Sequence, residues 1–378
     1  MVAAICRQVS AQEIGIAAFN LAWAGTLADF ENHVKVCSSP QVKWCNARSP
    51  NKKEAEECQA KFDSAAGGAD KARFVPPCNA YDLNAQSPSY DSKLYKQKID
   101  GLKTTIDRLI SDQKVDVIAF QEVRSDEVLR TMLGQHASEF ETCTAPHSSF
   151  QTVGFAWRKA IGSSMAHCVP EKSLSVRERE GVYTRPGLAL FLKINGKNLS
   201  VLNVHLKSNC ANLVDTKRFK GHLLTDDDSN CKVLNRQVAP LEEWMENISK
   251  ISPQFVVLGD FNRRVDEELS AGIPPEKVRQ DGSSPAGPNK VGASGEVKSQ
   301  YLWQEISDGS PNLVQVPLAK EQNGACGGFV GLDHILLSPE LSDLQPKGLT
   351  SVKSPVSSVS GQKIETSDHC PRVAIIEI

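Results

Sequence analysis

Short, strongly apolar segments recur along the chain and alternate with longer segments in which apolar residues return every three or four positions. The short segments have the length and β-branched content of buried strands, and the longer ones have the period of amphipathic helices. The predicted strands are residues 14–20, 115–120, 255–258, 332–337 and 373–378, and the predicted helices are residues 92–111 and 237–251. The turn Asn195-Gly196, between apolar segments at 188–194 and 199–204, predicts a β-hairpin. Strands with flanking helices throughout indicate an α/β fold, a four-layered α/β sandwich of two packed mixed β-sheets flanked by helices.

Two segments interrupt this pattern. Residues from about 31 to 90 contain four cysteines and a turn-rich stretch at Pro76-Pro77, and we interpret them as a disulfide-stapled insertion. Residues from about 280 to 298 are rich in Gly, Ser, Pro and Ala, which predicts a flexible surface loop. With these two exceptions, we expect residues 12–378 to form a single domain.

The cysteine content changes the expected compartment. Eleven cysteines are many for a cytosolic enzyme, so we expect a secreted or periplasmic protein. Pairing nearest neighbours along the chain predicts five disulfides and leaves Cys6 as a free thiol: Cys37–Cys45, Cys58–Cys78, Cys143–Cys168, Cys210–Cys231 and Cys326–Cys370. Buried free thiols are the alternative interpretation. No segment has the roughly 18 continuous apolar residues of a membrane helix, so we expect no membrane insertion.

The charge is almost balanced, with a formal net charge of -2. This argues against a strongly basic protein that coats nucleic acid, but it leaves a local basic rim possible because exposed charges act over roughly 10 Å. The candidate rim consists of Lys207, Lys217, Arg218, Lys220, Lys232, Arg236, Arg263 and Arg264. The alternative is that these are solvated loop charges offset by Asp215 and residues 226–228.

Polar residues lie at the ends of the predicted strands. They are Asn20, Glu122, His205, Asp260, Asn262, Asp333, Asp368 and His369. A single carboxylate at a strand end usually caps a turn or a helix. A whole set limited to carboxylate, amide and imidazole types is better explained by one active site on one rim of the sandwich.

The chemistry of these residues suits phosphoester hydrolysis. Glu122 and Asp368 supply hard oxygen ligands, which Mg²⁺ or Mn²⁺ prefers. A carboxylate such as Asp260 can take a proton from an attacking water that a neighbouring amide holds. Imidazoles can donate hydrogen bonds to the phosphate, and a carboxylate behind a histidine fixes its tautomer.

Five segments, in this order, resemble the successive motifs of the endonuclease/exonuclease/phosphatase superfamily, which includes pancreatic deoxyribonuclease and the apurinic endonucleases. They are Ala119-Phe120-Gln121-Glu122-Val123, Asn203-Val204-His205-Leu206, Leu258-Gly259-Asp260-Phe261-Asn262, Leu332-Asp333-His334-Ile335 and Ser367-Asp368-His369-Cys370-Pro371. Phe19-Asn20 matches the opening Asn of that family. The loop between Cys210 and Cys231 is similar to that of secreted bacterial members.

The resemblance implies a role for each matching residue. Glu122 would be the main metal ligand, with Asp368 and Asn20 completing the site. Asp260 would be the general base and Asn262 its partner. His205 and His369 would hold the scissile phosphate together with Asn20, and Asp333 would orient His369. Arg185 lies where relatives place a basic or aromatic residue near the phosphate, although a solvated loop arginine is an equal alternative.

The sequence therefore favours a metal-dependent nuclease that cleaves DNA or RNA with Mg²⁺ (or Mn²⁺). A phosphatase or phosphodiesterase acting on a phosphoinositide, sphingomyelin or a small phosphoester is the second interpretation. A catalytically inactive binding or toxin-like module is the third. The remaining histidines are interpreted as surface or core residues, and His334 should point away from Asp333 because neighbouring strand side chains alternate between faces.

Overall fold

The computed structural model describes residues 12–43, 51–81, 91–161, 166–211, 213, 221–270, 300–307, 311–317, 331–345, 351–352 and 366–378. The strands are β1 (Glu13–Ala24), β2 (Val115–Val123), β3 (Phe140–Thr144), β4 (Thr152–Arg158), β5 (His167–Glu171), β6 (Arg177–Arg179), β7 (Val182–Tyr183), β8 (Gly187–Ile194), β9 (Lys197–His205), β10 (Phe255–Asp260), β11 (Val314–Gln315), β12 (Asp333–Leu337), β13 (Ser351–Val352) and β14 (Arg372–Glu377). The helices are α1 (Leu27–Cys37), α2 (Pro40–Lys43), α3 (Lys52–Ala66), α4 (Ala69–Ala72), α5 (Ser92–Ser111), α6 (Asp126–Leu133), α7 (Ser229–Ile251), α8 (Val265–Ser270), α9 (Leu302–Ser307) and α10 (Pro339–Ser342).

Two six-stranded sheets form the centre of the molecule. Their strand orders are β13-β14-β1-β2-β4-β3 and β11-β12-β10-β9-β8-β5. Both are mixed, since β1 pairs with β2 and β9 with β10 in parallel while their other neighbours are antiparallel. Strands β6 and β7 form a separate hairpin.

Three apolar clusters arrange these elements in layers. Side chains such as Ile16 and Val117 of the first sheet meet Leu190 and Leu258 of the second in a shared core. The outer face of the first sheet packs on α5 and α6, and the outer face of the second packs on α7. The predicted four-layered α/β sandwich is confirmed.

Helix α5 begins and ends where the apolar period predicts, with Asp91 accepting a hydrogen bond from the Lys93 amide at 2.8 Å. Helix α7 begins earlier than predicted, at Ser229 rather than residue 237. The Asp228 side chain caps this earlier start by accepting from the Asn230 and Cys231 amides. Pro240 therefore lies inside the helix, although proline is usually favoured in the first turn of a helix.

The disulfides in the insertion differ from the nearest-neighbour prediction. Cys37 pairs with Cys78, so the predicted Cys37–Cys45 and Cys58–Cys78 bridges are wrong. Helix α1 places Cys37 at its C-terminal end against the loop that follows α4, a proximity that spacing along the chain does not reveal. The Cys143–Cys168 and Cys210–Cys231 bridges are confirmed.

Other sequence predictions fall outside the described residues. Cys58 and Cys370 are also disulfide-bonded, but Cys326 is not described, so the Cys326–Cys370 bridge stays a prediction. Cys6 and the predicted loop at about 280–298 are likewise not described. Within the described residues, no helix combines the length and apolarity that a membrane span requires.

Candidate active site

The polar strand ends converge on one edge of the sandwich. Parallel strands end at the same edge of a sheet, so β1 and β2 place Asn20 beside Glu122, and β9 and β10 place His205 beside Asp260. Strand β12 runs antiparallel to β10 and pairs Asp333 with Asp260. Asn20 Nδ2 donates to Asp260 Oδ2 across 3.0 Å, which joins the first sheet to the second.

Unusual backbone conformations aim several of these side chains. Glu122 has φ 56° and Asn262 has φ 51°, in the left-handed region that side chains with a Cβ rarely adopt. Gly259, just before Asp260, has φ 134°, and a Cβ there would lie 2.2 Å from the Val204 carbonyl oxygen. Such strain typically concentrates at functional sites, where the surrounding structure enforces it.

Asp260 is held on both carboxylate oxygens. Oδ1 accepts a hydrogen bond from the backbone amide of Asn262 at 2.8 Å, while Oδ2 accepts one from the side-chain amide of Asn20. Its side chain is 1% exposed. Burial raises the pKa of Asp260 to about 7; the charge of His369 opposes this rise and that of Asp333 adds to it. A carboxylate with a pKa near neutrality is suited to accept a proton.

His369 and Asp333 form a second unit next to Asp260. His369 Nδ1 lies 2.7 Å from Asp333 Oδ2, and its Nε2 lies 3.8 Å from Asp260 Oδ2. Burial alone lowers the pKa of His369, but the charges of Asp333 and Asp260 outweigh it and raise that pKa well above its usual value. Ligand atoms of Asp260, Asp333 and His369 all lie within 4.8 Å of one another.

His205 has the opposite electrostatic state. Its Nε2 lies 3.5 Å from Asp260 Oδ2 and 3.7 Å from Glu122 Oε1. Burial, aided by the charge of Arg185, lowers the pKa of His205 well below its usual value. The two imidazoles therefore differ, one neutral and one positively charged near neutral pH.

The proposed metal ligands carry charges that a divalent cation would balance. Burial raises the pKa of Glu122, and the charge of Asp368 raises it further, so two carboxylates repel each other here. Glu122 Oε2 accepts a hydrogen bond from the Trp23 amide at 3.1 Å. With the Asn20 amide nearby, this hard-oxygen donor set fits Mg²⁺ or Mn²⁺.

Arg185 is half-buried beside these groups. Its Nη2 donates to the Leu206 carbonyl at 2.5 Å, and it interacts electrostatically with Glu122 and Asp260. Its buried Nε has no hydrogen-bond partner among the described residues. These contacts differ from those of a solvated loop arginine.

The predicted basic rim needs correction at Arg263. This side chain is completely buried: Nε donates to Glu268 at 2.6 Å, and Nη1 donates to the Cys210 and His222 carbonyls at 2.7 Å each. These hydrogen bonds connect Arg263 to two described residues of the segment closed by the Cys210–Cys231 bridge. Three further members are paired with acidic side chains: Lys207 with Glu178, Lys232 with Asp227 and Arg264 with Glu267. Lys217, Arg218 and Lys220 lie outside the described residues.

Sequence reasoning missed Lys98, which is buried in α5 and donates to the carbonyls of Leu21 and Thr366. Burial lowers the pKa of Lys98 to about 8, against the opposing charges of Asp368 and Glu122. It therefore links β1 to the segment that carries Asp368 and His369. Its place on the apolar face of α5, one turn before Leu102, was the signal in the sequence.

His334 points away from Asp333, as predicted. Its ring nitrogens contact Gln315 Nε2 at 2.8 Å and the Arg263 carbonyl at 3.0 Å. The other histidines outside the motifs also make structural contacts. His33, for example, lies in an aromatic cluster with Phe30 and Tyr81.

The match to a known protein family agrees with this fold. The chain matches the model of the Endonuclease/Exonuclease/phosphatase family over residues 83–369, more than half of its length. The protein belongs to this family, whose members hydrolyse phosphoester bonds and generally use divalent metal ions.

The chain is also similar to solved structures at low sequence identity. The chain is similar to ANGEL2, a 2′,3′-cyclic phosphatase, in complex with adenosine-2′,3′-vanadate, with 14% identity, coverage of 98% of this chain and 97% of that chain, and a TM-score of 0.50. For an endonuclease/exonuclease/phosphatase family protein from Bacteroides thetaiotaomicron the values are 12%, 98%, 99% and 0.44. For humanized D. rerio TDP2 they are 13%, 75%, 93% and 0.43. No curated protein matches the chain.

Proposed function

We propose that this protein is a metal-dependent phosphodiesterase that cleaves DNA or RNA by attack of water on the scissile phosphate. The environment of Asp260 is the observation that carries the proposal: a buried carboxylate with a pKa of about 7 lies beside a positively charged imidazole. This combination places a proton acceptor and a hydrogen-bond donor for an anion in one cluster.

Each residue near Asp260 has a distinct task. Asp260 takes the proton of the attacking water. Asn262 Nδ2 donates to the Leu206 carbonyl at 3.0 Å, which leaves its Oδ1 to accept a hydrogen bond from that water. His369, kept protonated by Asp333, donates to a phosphate oxygen, and neutral His205 donates through Nε2 on the other side.

Glu122, Asp368 and Asn20 are the proposed metal ligands. A Mg²⁺ or Mn²⁺ ion held there would neutralise charge on the phosphate and on the leaving oxygen. Arg185 adds a fixed positive charge beside the same group. Because Arg185 is half-buried, the local dielectric constant is lower than in water, and its charge interacts more strongly with a nearby phosphate.

The second candidate, a phosphatase or phosphodiesterase of a phosphoinositide, sphingomyelin or a small phosphoester, is favoured by the paired charges. Lys207, Lys232 and Arg264 are matched by acidic partners, and Arg263 is buried. The described part of the rim therefore offers little net positive charge for a long polyanion. Both candidates share the same hydrolytic site. The complete set of catalytic groups in this site disfavours the third interpretation, an inactive module.

We further propose a secreted or periplasmic protein with one domain over residues 12–378. The Cys37–Cys78, Cys143–Cys168 and Cys210–Cys231 bridges support the oxidising compartment. The shared core between the two sheets supports a single folding unit.

A substrate panel tests the proposed function. Supercoiled plasmid, single-stranded RNA, a chromogenic phosphodiester, and phosphoinositide and sphingomyelin vesicles are incubated with the purified protein in Mg²⁺ or in EDTA. We expect nucleic acid cleavage in Mg²⁺ that is lost in EDTA and in the Asp260→Asn variant. Hydrolysis confined to the lipids supports the second candidate, and no hydrolysis with either Mg²⁺ or Mn²⁺ contradicts both.

A further inference from the structure

A cleft of about 950 Å³ leads away from the candidate active site. One wall belongs to the disulfide-stapled insertion, through α3 and the Cys37–Cys78 bridge, and the other belongs to the β6–β7 hairpin. Trp23 and Arg185 line the same cleft and both interact with Glu122, so the cleft borders the candidate active site. None of the residues in the five sequence motifs lines the part of the cleft between α3 and the hairpin.

The two walls contact each other directly. Arg179 of β6 donates to Gln59 Oε1 of α3 at 3.5 Å. The hairpin turn at Gly181 has φ 67°, and a Cβ there would lie 2.9 Å from Arg73 Nη2 of the insertion. The insertion is therefore packed against the hairpin.

Aromatic side chains line the cleft from its mouth to the insertion. Trp23 lies at the active-site end and contacts the buried Phe150 ring with a centroid distance of 5.8 Å. Phe62 lies half-buried on α3, and Tyr183 of β7 is 43% exposed. An exposed aromatic face in a cleft that reaches Trp23 offers a stacking surface for a flat ring.

The position of Trp23 is fixed by strained backbone and by the active site. Ala22 has φ 47° and Trp23 has φ 64°, both in the left-handed region. The Trp23 amide donates to Glu122 Oε2, so the indole and the proposed metal ligand are tied to the same short segment. A ring that stacks on Trp23 consequently lies near Glu122, the proposed metal ligand.

The charges in the cleft are nearly balanced. Its lining contains four basic side chains, Arg73, Arg179, Arg185 and Lys207, and three acidic ones, Asp63, Glu178 and Glu180. Lys207 is paired with Glu178 at 3.1 Å, and Arg73 with Asp70 at 3.1 Å. This balance suits one base and its sugar better than a run of several phosphates.

We propose that this cleft is a base-binding subsite that holds the nucleobase next to the scissile phosphate. The base would stack between Trp23, at the active-site end of the cleft, and Tyr183. The proposal rests on the nuclease function proposed above and adds a substrate class, single-stranded nucleic acid. A base in a duplex is stacked and paired with its neighbours, so it cannot present its face to a side chain without leaving the helix. The disulfide-stapled insertion forms the wall of this subsite that faces the β6–β7 hairpin.

Abasic substrates test the subsite directly. A single-stranded oligonucleotide is compared with a counterpart of equal length in which tetrahydrofuran replaces every nucleoside sugar and base, so the phosphates are retained. We expect kcat/KM in Mg²⁺ to be about tenfold higher for the base-bearing strand, the effect of stacking one base on an aromatic side chain. The matching duplex should be a poorer substrate than the single strand.

Tyr183→Ala is the variant that isolates the stacking surface, because Tyr183 is exposed and contacts none of the proposed catalytic groups. We expect it to lower kcat/KM about fivefold to tenfold on the base-bearing strand and to leave the abasic strand unchanged. Tyr183→Phe should restore the difference. Ile251→Ala, which removes an exposed apolar side chain that does not line the cleft, is the control.

The outcomes separate this inference from the function on which it rests. Equal kcat/KM for base-bearing and abasic strands, or an equal loss on both in Tyr183→Ala, overturns the base subsite and leaves the nuclease function standing. Hydrolysis of neither strand, with turnover of another phosphoester, overturns both.

Discussion

Turnover should depend most directly on the side chains of Asp260 and His369. We predict that Asp260→Asn and His369→Ala each lower kcat by about 10²–10⁴-fold, the usual contribution of a general acid or base. The exposed Asp227→Asn and His167→Ala serve as matched controls. Turnover near that of the native protein in either active-site variant, with an unchanged melting temperature, would remove the assignment.

The pH profile should report the same two groups. Asp260 must be ionised to accept a proton, so kcat/KM should rise with pH through about 7, and loss of the His369 proton should lower it at higher pH. Asp333→Asn removes the charge that raises the pKa of His369. We therefore expect the alkaline limb of this variant to move to lower pH. An alkaline limb that stays in place shows that His369 is not its source.

At the scale of single residues, the sequence predicts identity better than geometry. The apolar runs reveal where the strands end, so the convergence of the motif residues from Asn20 to His369 on one edge could be predicted. Lys98 was missed because its burial depends on the segment from Thr366, distant in sequence. Arg263 was misjudged because its partner Glu268 belongs to a buried network that charge counting cannot detect.

Among the elements, β10 depends on a residue without a side chain. Gly259→Ala would place a Cβ 2.2 Å from the Val204 carbonyl oxygen and 3.1 Å from Asn203 Oδ1. We predict a loss of at least about 2 kcal/mol in the free energy of unfolding, from steric overlap and positive φ together. Urea denaturation measures it.

Gly196→Ala is the matched control for β10. Gly196 also has positive φ, 82°, but a Cβ there meets no atom within 4 Å. It should lose only about 1 kcal/mol, the cost of the backbone conformation. Equal losses at both glycines would show that steric contact with β9 is unimportant.

Helix α1 carries a second element-scale prediction through His33. This histidine is 1% exposed, its Nδ1 lies 3.1 Å from the Pro76 carbonyl, and burial lowers its pKa to about 4. Because the unfolded chain takes up the proton first, its contribution to stability is complete above about pH 6.5 and is lost as the pH falls towards 4. The slope from this group should approach about 1.4 kcal/mol per pH unit in that range.

His33→Leu removes this titration, and the free energy of unfolding measured by urea at several pH values should then fall less steeply on acidification. His167→Leu controls for the loss of one histidine at an exposed position. If His33→Leu keeps the native slope, the buried imidazole does not govern the acid stability of the insertion.

Element types were predictable because the apolar period differs between helix and strand. Helix α5 and the β8–β9 hairpin match the pattern closely, since their turn and cap residues are local signals. The start of α7 and the Cys37–Cys78 bridge were not predictable in the same way. Each depends on contacts between segments that only the folded chain brings together.

For the whole molecule, the candidate active site and the hydrogen bonds that join the two sheets involve the same residues. Asn20 bonds to Asp260 across the sheets, and Gln121 Nε2 donates to Asn203 Oδ1 at 2.7 Å just behind them. Asn203 Nδ2 also donates to the Phe120 and Gly154 carbonyls of the first sheet. Polar bonds in an otherwise apolar interface fix the relative position of the sheets and thereby the distances in the site.

The last prediction concerns the metal and the stability of the whole fold. Glu122 and Asp368 repel each other when no cation balances them, so a divalent ion that binds only the folded chain should stabilise it. Raising Mg²⁺ to 100 times its dissociation constant should add about 2.7 kcal/mol to the free energy of unfolding, and EDTA should remove both this gain and the activity. Glu122→Gln should shift the midpoint of the Mg²⁺ titration to higher concentration in both assays, whereas the control Glu340→Gln in α10 should not. A melting temperature independent of Mg²⁺ and Mn²⁺, together with full activity after exhaustive chelation, would exclude the metal site.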